Sequence, residues 1–322
     1  MSNSGGLFRD CNTSSGEPDV SVIVVNWNLK GVLEECLNSV REHGAGLVVE
    51  LIVIDNASSD GSAEMITREF PEALLTHNSK NRGFSYASNQ GMRAAKGRYL
   101  FLLNSDAILH KGALARMVAF MDAHAGAGLC GPKVIDEDGS PQLRARGYFP
   151  SIPRALAHFF LPRWLRNGLV GSLGIYEPHD GGAVGQVDWL SGCALMARRE
   201  AVDEVGALDA DVFMYCEDVD WCYRMKQAGW EVGYVPSAVV THFGGKSMKL
   251  QSGRAVGAHA AGLAAFYAKY HGSARTAVFR GVLWLGYAVS ALGWLISALA
   301  GRRAGLGKLR RLFGRTQSGT QG

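Results

Sequence analysis

The sequence lacks the glycine-rich loops by which many proteins bind a nucleotide phosphate. The first predicted strand, Val20–Val25, is followed by Asn26, Trp27 and Asn28, and this segment contains neither GxGxxG nor GxxxxGK[ST]. A dinucleotide-binding fingerprint and a P-loop are therefore not expected. The same absence argues against a nucleotidyltransferase, which would typically have such a loop with a Lys or Arg after its first strand.

Other features that are scarce narrow the class of protein further. Only 19% of the 322 residues are charged, the net charge is +4, and the basic residues are not interleaved with aromatic ones, so nucleic acid is not an expected partner. The six cysteines form no CxxC pair, and Cys36, Cys130 and Cys193 lie among apolar residues, which predicts reduced thiols in a cytosolic setting. The first 18 residues contain no apolar run, so we expect no signal peptide.

Strands and helices alternate over the first hundred residues. This alternation predicts an α/β fold, with a mostly parallel, doubly wound sheet and flanking helices. Apolar runs predict buried strands at Val20–Val25, Val48–Ile54 and Tyr99–Leu103, and a short strand is predicted at Leu74–Thr76; helical patterns separate the four. Further strands are predicted at Gly128–Ile135, within Val187–Ala197 and, on either side of Pro236, at Trp230–Val235 and Ala238–His242.

Polar clusters follow three successive predicted strands, namely Asp55, Asn81–Gly83 and Asn104–Asp106. The carboxyl ends of parallel strands meet at one crevice, so these side chains are expected to surround one ligand. A carboxylate at Asp55 suits a nucleobase or a ribose hydroxyl, and Gly83 lets the backbone approach a nucleotide closely. Asp106 suits a divalent cation on a diphosphate, although capping of a following helix is an equal alternative for this aspartate.

A second acidic cluster, Glu217, Asp218 and Asp220, begins a predicted helix that ends near Gly229. Two interpretations stay open. The helix dipole favours acidic residues in a first turn, which is a structural explanation. Alternatively, one of these carboxylates is a general base that takes a proton from a substrate hydroxyl. His242, after another predicted strand, is a candidate for a metal or phosphate contact, and a structural role is its alternative.

The C-terminal part of the sequence indicates contact with a membrane. Residues 281–300 carry no charge, and a helix of that length spans roughly 30 Å. A true span and a helix lying in the membrane plane both stay open, because Arg275 and Arg280 before this stretch are basic as well. The segment Ile152–Tyr176 mixes aromatic and Arg residues, which suits a membrane interface, a cover over an acceptor site or an ordinary surface helix. The tail after residue 300 has no acidic residue, and the excess of basic residues on the cytoplasmic side of membrane proteins predicts that it lies in the cytoplasm. Its basic residues are Arg302, Arg303, Lys308, Arg310, Arg311 and Arg315.

Taken together, the ordered motifs resemble those of the family 2 inverting glycosyltransferases, and in particular bacterial rhamnosyltransferase-like enzymes. The resemblance covers about Val20 to Lys249. The motifs that carry it are Ser21–Asn28, Asp55–Ser62, Asn81–Phe84 with Asn89–Gly91, Leu102–Asp106, Trp189–Gly192 and Glu217–Asp220.

The resemblance implies a GT-A fold, a nucleoside-diphosphate sugar donor, and Mg2+ or Mn2+. It also assigns roles to individual positions. Asp218 is the expected catalytic base, Asp106 and His242 are the expected metal contacts, and Trp189 and Glu217 would line the acceptor side. The expected donor-binding residues are Asn26, Asp55, Asn81, Gly83, Asn104 and Ser105.

One position departs from the family pattern. The usual metal signature is Asp-x-Asp, and here its first position is Asn104. An amide oxygen can still reach a metal-bound water or the ribose. Asp106 then supplies the one certain charge, and a modest metal affinity is expected.

The expected function is transfer of a sugar, such as rhamnose, to a hydroxyl of a glycan or lipid-linked acceptor during bacterial envelope polysaccharide synthesis. The expected place is the cytoplasmic face of the inner membrane. The alternatives are a non-catalytic membrane-associated scaffold that binds sugar nucleotides and a nucleotidyltransferase. The expected domains are a flexible lead at 1–19, a catalytic domain at 20–250 and a C-terminal region at 251–322. The catalytic domain is divided into a nucleotide-sugar-binding half at 20–135 and an acceptor half at 136–250. The C-terminal region contains a helix, the apolar segment 281–300 and the basic tail.

Overall fold

The computed structural model describes residues 17–299, apart from 45, 143, 163–164, 166–172, 174, 177–183, 213–214 and 245–253. The lead at 1–16, much of the segment after Phe160 and the basic tail beyond residue 300 therefore lie outside the described residues. Two compact units are present, one made of residues 1–149 and 176–246 and the other of 150–175 and 247–322. The predicted domain boundaries stay a prediction.

The first unit begins with alternating strands and helices, as predicted. The first two strands are rich in β-branched apolar residues, and the first helix buries an apolar stripe that includes Leu33, Leu37 and Val40. The elements are β1 Val20–Asn26, α1 Lys30–His43, β2 Val49–Asp55, α2 Ser62–Glu69, β3 Leu74–His77, α3 Phe84–Ala94 and β4 Tyr99–Asn104.

The rest of this unit is less regular. Its elements are β5 Ala107–Leu109, α4 Ala113–Ala123, β6 Ala127–Ile135, β7 Arg146–Gly147, β8 Gly185–Gln186, β9 Trp189–Leu190, β10 Ala194–Arg198, α6 Arg199–Val205, α7 Glu217–Gln227 and β11 Glu231–His242. The second unit contains α5 Ile152–Phe160, α8 Arg254–Tyr270 and α9 Ser273–Leu299.

In the described part of the chain, nine strands form the central sheet in the order β3-β2-β1-β4-β10-β6-β11-β5, with β8 beside β11. β1 pairs in parallel with β2 and β4, and β11 pairs in parallel with β6. β10 lies antiparallel between β4 and β6. The predicted mostly parallel α/β sheet is confirmed. Cys36, Cys130 and Cys193 are buried and free, as expected.

One local prediction was wrong, and one alternative is excluded. The stretch around Pro236 is one strand, because a register shift between Val235 and Val239 leaves the proline, which has no N–H, outside the regular ladder. Asp106 does not cap a helix, because the chain continues directly into β5. That short strand pairs antiparallel with β11 and sets Ala107 opposite His242. Asp106 is thereby held beside the end of β11.

Candidate active site

The carboxyl ends of three parallel strands bring the first polar residues together. Asn26 at the end of β1 is paired with Asp55 at the end of β2. On the other side of β1, Val25 is paired with Asn104 at the end of β4. Because these strands run in the same direction, the three polar side chains lie at the same edge of the sheet.

Asp55 is fully buried and held by hydrogen bonds on both carboxylate oxygens. Asn26 Nδ2 donates to Oδ1 over 3.1 Å, and the backbone N–H of Ser58 donates to Oδ2 over 3.0 Å. His77 Nδ1 lies 2.8 Å from the same Oδ2. Asn26 Oδ1 is buried without a hydrogen-bond partner in the described structure. Ser58 and His77 were not identified from the sequence.

The turn before α3 is organised by Asn56, the residue that follows Asp55 in the chain. Asn56 Nδ2 donates to Asn81 Oδ1 over 2.9 Å and to the carbonyl of Gly83 over 3.2 Å. The N–H of Arg82 donates to Asn56 Oδ1 over 3.1 Å. Gly83 has a φ of +86°, which suits glycine, and its N–H donates to Asn81 Oδ1 over 2.9 Å. The predicted nucleotide-contacting turn is thus fixed to the strand end after Asp55.

Asp106, His242 and Asn104 form a contact cluster at the ends of β4 and β11. His242 Nε2 lies 3.2 Å from Asp106 Oδ1 and 3.2 Å from Asn104 Nδ2. Burial lowers the pKa of His242, but Cys193 and Asp106 raise it by more, and the net result is a pKa of about 10. Ser105, between the two strand-end residues, is buried as well.

Asp218 lies in the first turn of α7 and its carboxylate is held by two backbone N–H groups. Gly192 donates to Oδ2 over 2.9 Å and Val219 donates to Oδ1 over 2.8 Å. Burial nevertheless raises the pKa of Asp218, because it disfavours the charged form. Two consecutive residues before Glu217, Tyr215 with φ +76° and Cys216 with φ +67°, have left-handed backbone that costs energy for side chains of this kind.

The turn at Gly192 joins the two halves of the site. A Cβ on Gly192 would lie 3.4 Å from the Phe84 ring and 3.6 Å from Asp218 Cβ, so α3 and α7 both approach this turn. The next residue, Cys193, accepts a hydrogen bond through its carbonyl from the N–H of Asn104 over 2.9 Å. One turn therefore links the neighbourhood of Asp218 to the turn at Gly83 and to the end of β4.

Two residues near this site make structural contacts. Trp189 is buried, and its indole N–H donates to the carbonyl of Tyr148 over 3.1 Å. Asp220 is buried and accepts a hydrogen bond from Arg224 Nε over 2.8 Å. The acidic residues at the start of α7 thus make different contacts. Asp220 anchors the helix, while Asp218 faces the Gly192 turn.

Glu217 is buried beside Asp218, and its Oε2 has no hydrogen-bond partner in the described structure. Burial, and then the nearby charge of Asp218, raise the pKa of Glu217 from 4.5 to about 8. Glu217 is therefore a neutral acid in the folded protein at neutral pH.

This raised pKa predicts how stability depends on pH. Between pH 4.5 and about 8, the folded protein holds a proton on Glu217 that the unfolded chain has lost. Unfolding then releases a proton, so the free energy of unfolding falls as the pH rises through this window. Glu217→Gln should remove this part of the pH dependence. Thermal unfolding of both proteins across the window checks it, and parallel profiles for the two would contradict the prediction.

A family model described as "Glycosyl transferase family 2" matches residues 21–205. The chain belongs to glycosyl transferase family 2. It is 33% identical over 208 residues to an N-acetylglucosaminyl-diphospho-decaprenol L-rhamnosyltransferase of Mycobacterium tuberculosis, covering 60% of this chain and 66% of that protein. A second similar protein is a PGL/p-HBAD biosynthesis glycosyltransferase of Mycobacterium bovis, at 30% identity over 168 residues, 50% of this chain and 64% of the other. The chain thus matches slightly less than two thirds of the length of each relative.

Solved structures of other glycosyltransferases share the fold of this family 2 chain. A mannosyltransferase of Pyrobaculum calidifontis in complex with GDP-Man and Mn2+ aligns with a TM-score of 0.56 at 19% identity, over 92% of this chain and 79% of that one. Residues 1–349 of S. aureus TarS in complex with UDP-GlcNAc align with a TM-score of 0.52 at 16% identity, over 84% and 72% of the two chains. The GT-A fold and the family resemblance expected from the motifs are confirmed.

Proposed function

We propose that this family 2 protein is an inverting glycosyltransferase that moves a sugar from a nucleoside-diphosphate donor to a hydroxyl of a glycan or lipid-linked acceptor. The observation that carries the proposal is the position of Asp218. Its carboxylate is fixed by Gly192 N–H at the turn that also adjoins Phe84, next to the glycine turn before α3. A general base must lie beside the sugar to be transferred, and the closeness of Asp218 to this glycine turn supports that role.

In the proposed reaction, Asp218 takes the proton of the acceptor hydroxyl as the oxygen attacks the anomeric carbon. A new carbon–oxygen bond forms on one face of the sugar while the bond to the diphosphate breaks on the opposite face. The nucleoside diphosphate leaves with the bonding electron pair, and the configuration at the anomeric carbon inverts. The two backbone N–H groups on Asp218 fix the direction of its carboxylate.

The donor would lie along the edge formed by β1, β2 and β4. Asp55 and the unpartnered Oδ1 of Asn26 suit the base or ribose, because both are acceptors at the bottom of this edge. Asn81 and Gly83 would contact the nucleotide through the turn before α3, and Ser105 would contact the sugar or phosphate side. Glu217 and Trp189 would line the acceptor side.

Asp106 and His242 would hold the divalent cation, Mg2+ or Mn2+, that the fold implies. Among the described residues there is no cluster of three or more His, Cys, Asp or Glu side chains that could hold a metal by themselves. The donor set still fits, because such ions in phosphate-binding sites take one or two protein carboxylates and complete their shell with phosphate oxygens and water. The Asn104 side chain lies at the same cluster, with its Nδ2 3.2 Å from His242 Nε2. When bound, the ion neutralises charge on the departing diphosphate.

The inner-membrane surface is the proposed location, and the second unit supports it. One face of α9 packs inside this unit, where Phe279 stacks on Tyr267 at 4.1 Å and Gly286 adjoins the ring of Phe159. The opposite face exposes large apolar side chains, namely Val278, Trp284, Leu285, Val289, Leu292, Leu295 and Ile296. Because one face is already covered by protein, we propose that α9 lies in the interface rather than crosses it.

Charge favours the same location. All 29 acidic residues lie at or before Glu231, whereas twelve basic residues follow it. Anionic lipids of a cytoplasmic leaflet attract such a segment. The length and apolar composition of Ser273–Gly293 are also sufficient for a span, so the experiment has to separate the two modes.

Replacing Trp284 and Leu285 together by serine is expected to weaken binding to anionic vesicles at least about tenfold, because each buried CH2 contributes about 0.8 kcal/mol. Flotation of the full chain with phosphatidylglycerol vesicles measures this. Leu74→Ser is the matched control, since Leu74 is similarly exposed but lies on β3 of the first unit. Cleavage of residues 302–315 by protease only after the vesicles are opened would show that α9 crosses the bilayer instead.

A panel of nucleotide sugars tests the function itself. Release of nucleoside diphosphate is measured for each donor with Mn2+ and Mg2+, with a polyprenyl-diphosphate glycan as the acceptor. Transfer from one donor with an inverted product linkage supports the proposal. Donor binding without transfer or hydrolysis for any donor would favour a non-catalytic scaffold.

A further inference from the structure

Gln142 contacts His242 and determines which nitrogen of its ring carries a proton. It follows the turn after β6, where Gln142 N–H donates to the carbonyl of Val134 over 3.0 Å. Its Oε1 lies 2.8 Å from His242 Nδ1. The other ring nitrogen, Nε2, is the one that faces Asp106 and Asn104.

The orientation of the Gln142 amide is fixed by the hydrogen bonds of its NH2 group. Nε2 of Gln142 donates to Asp136 Oδ1 over 2.7 Å and to the backbone carbonyl of His242 over 3.1 Å. Both partners are acceptors only, so an amide turned by 180° would set its oxygen against two other oxygens. The amide oxygen therefore faces the ring of His242.

An amide oxygen has no proton to donate, so His242 Nδ1 must carry the proton in this contact. In a neutral imidazole the other nitrogen, Nε2, then has the free electron pair. In an imidazolium, Nε2–H donates to Asp106. In both forms Nε2 is the atom that faces the cluster, and Nδ1 is committed to Gln142.

We infer that Gln142 is a positioning residue that holds the proton of His242 on Nδ1, so that Nε2 is directed toward Asp106 as a ligand for a divalent cation. The part of this inference that concerns the cation rests on the proposed function. Outer partners of this kind fix the tautomer and ring orientation of a metal-binding histidine, and their removal typically costs 10–100-fold in metal affinity.

Two variants separate this role from a structural one. Gln142→Glu keeps an acceptor opposite Nδ1 but loses the amide protons that bind Asp136 and the main chain. Gln142→Met is of similar length and loses both. If Gln142 only connects the turn to β11, both substitutions should have the same effect on the Nδ1–H signal and on Mn2+ affinity. If Gln142 holds the proton of His242 on Nδ1, only Gln142→Met should disturb that proton and the binding of the cation.

The first readout is the Nδ1–H resonance of His242 in the full chain with 15N-labelled histidine, identified by its absence from His242→Asn. We expect a slowly exchanging signal in the wild-type protein and in Gln142→Glu, and its loss in Gln142→Met. The second readout is Mn2+ binding, from the electron paramagnetic resonance of the free ion. We expect affinity to fall at least about tenfold in Gln142→Met and to stay within about threefold in Gln142→Glu.

Absence of the Nδ1–H signal from the wild-type protein, its persistence in Gln142→Met, or equal loss of Mn2+ affinity in both variants would overturn the inference. A wild-type protein that shows the Nδ1–H signal, loses it in Gln142→Met and binds no Mn2+ would support the role of Gln142 in holding the proton. That outcome would instead refute the metal role in the proposed function.

Discussion

Asp218→Asn is expected to lower the rate of sugar transfer by about 10²–10⁴-fold, the usual contribution of a general base, while the protein still folds and binds its donor. Asparagine keeps the size of the side chain, and its amide oxygen can accept one of the two backbone hydrogen bonds, such as that from Gly192. It cannot take a proton from the acceptor hydroxyl. Single-turnover transfer assays measure the rate, and titration with the donor measures binding separately. A variant with near-normal turnover would remove Asp218 from the proposed mechanism.

Asp220→Asn is the matched control, because it lies on the same helix two residues away. Its carboxylate is paired with Arg224, and that guanidinium also donates to the carbonyl of Ala207 over 2.7 Å. Removing one charge of this buried pair is expected to lower the free energy of unfolding by about 3 kcal/mol. The folded fraction should retain transfer activity. We therefore expect Asp218→Asn to lose transfer activity and keep its stability, and Asp220→Asn to lose stability and keep its activity.

Asp106→Asn is expected to weaken Mn2+-dependent donor binding by about 100-fold or more, since even outer partners of a metal ligand cost 10–100-fold. The change removes the only carboxylate in the contact cluster with Asn104 and His242. Calorimetric titration of donor in the presence of Mn2+, and again with a chelator, measures the effect. Donor binding without metal should be equal in the variant and in the wild-type protein.

Asn104→Asp provides a control in the opposite direction. It restores the Asp-x-Asp pattern that is usual in the family, and a second carboxylate should raise the affinity for Mn2+. If neither substitution changes the affinity, the cation does not lie at the end of β4, and the proposed roles of Asp106 and His242 are wrong.

Much of the fold was predictable because its signals are local. β1, β2 and β4 are mostly apolar runs of six or seven residues, and each helix between the first four strands repeats its buried side chains at helical spacing. The short elements were not predictable in this way. β5 has three residues, and α6, Arg199–Val205, follows β10 without a loop, so neither produces a periodic pattern long enough to recognise.

The contacts that organise the site were beyond the reach of the sequence for a different physical reason. Asn56 bridges to Asn81 over 25 positions, and Gln142 bridges to His242 over 100. Such hydrogen bonds depend on which strands become neighbours. The motif residues Asp55, Asn104 and Asp218 were recognised because they stand at strand or helix ends, where polar residues interrupt apolar ones. Nothing comparable marks Gln142. Asn56 also follows an apolar strand, but the sequence does not show that its amide bonds to Asn81.

The antiparallel strand β10 has a consequence for synthesis of the protein. Within the described chain, β6 is bordered only by β10 and β11, and both are translated after it. A nascent chain that has emerged from the ribosome up to Ile135 therefore holds a strand with no neighbour, together with an open side on β4. The sheet closes only when Ala194–Arg198 inserts between these two strands. Until then an apolar edge is exposed to solvent, and a fragment ending at residue 135 should need a chaperone to stay in solution.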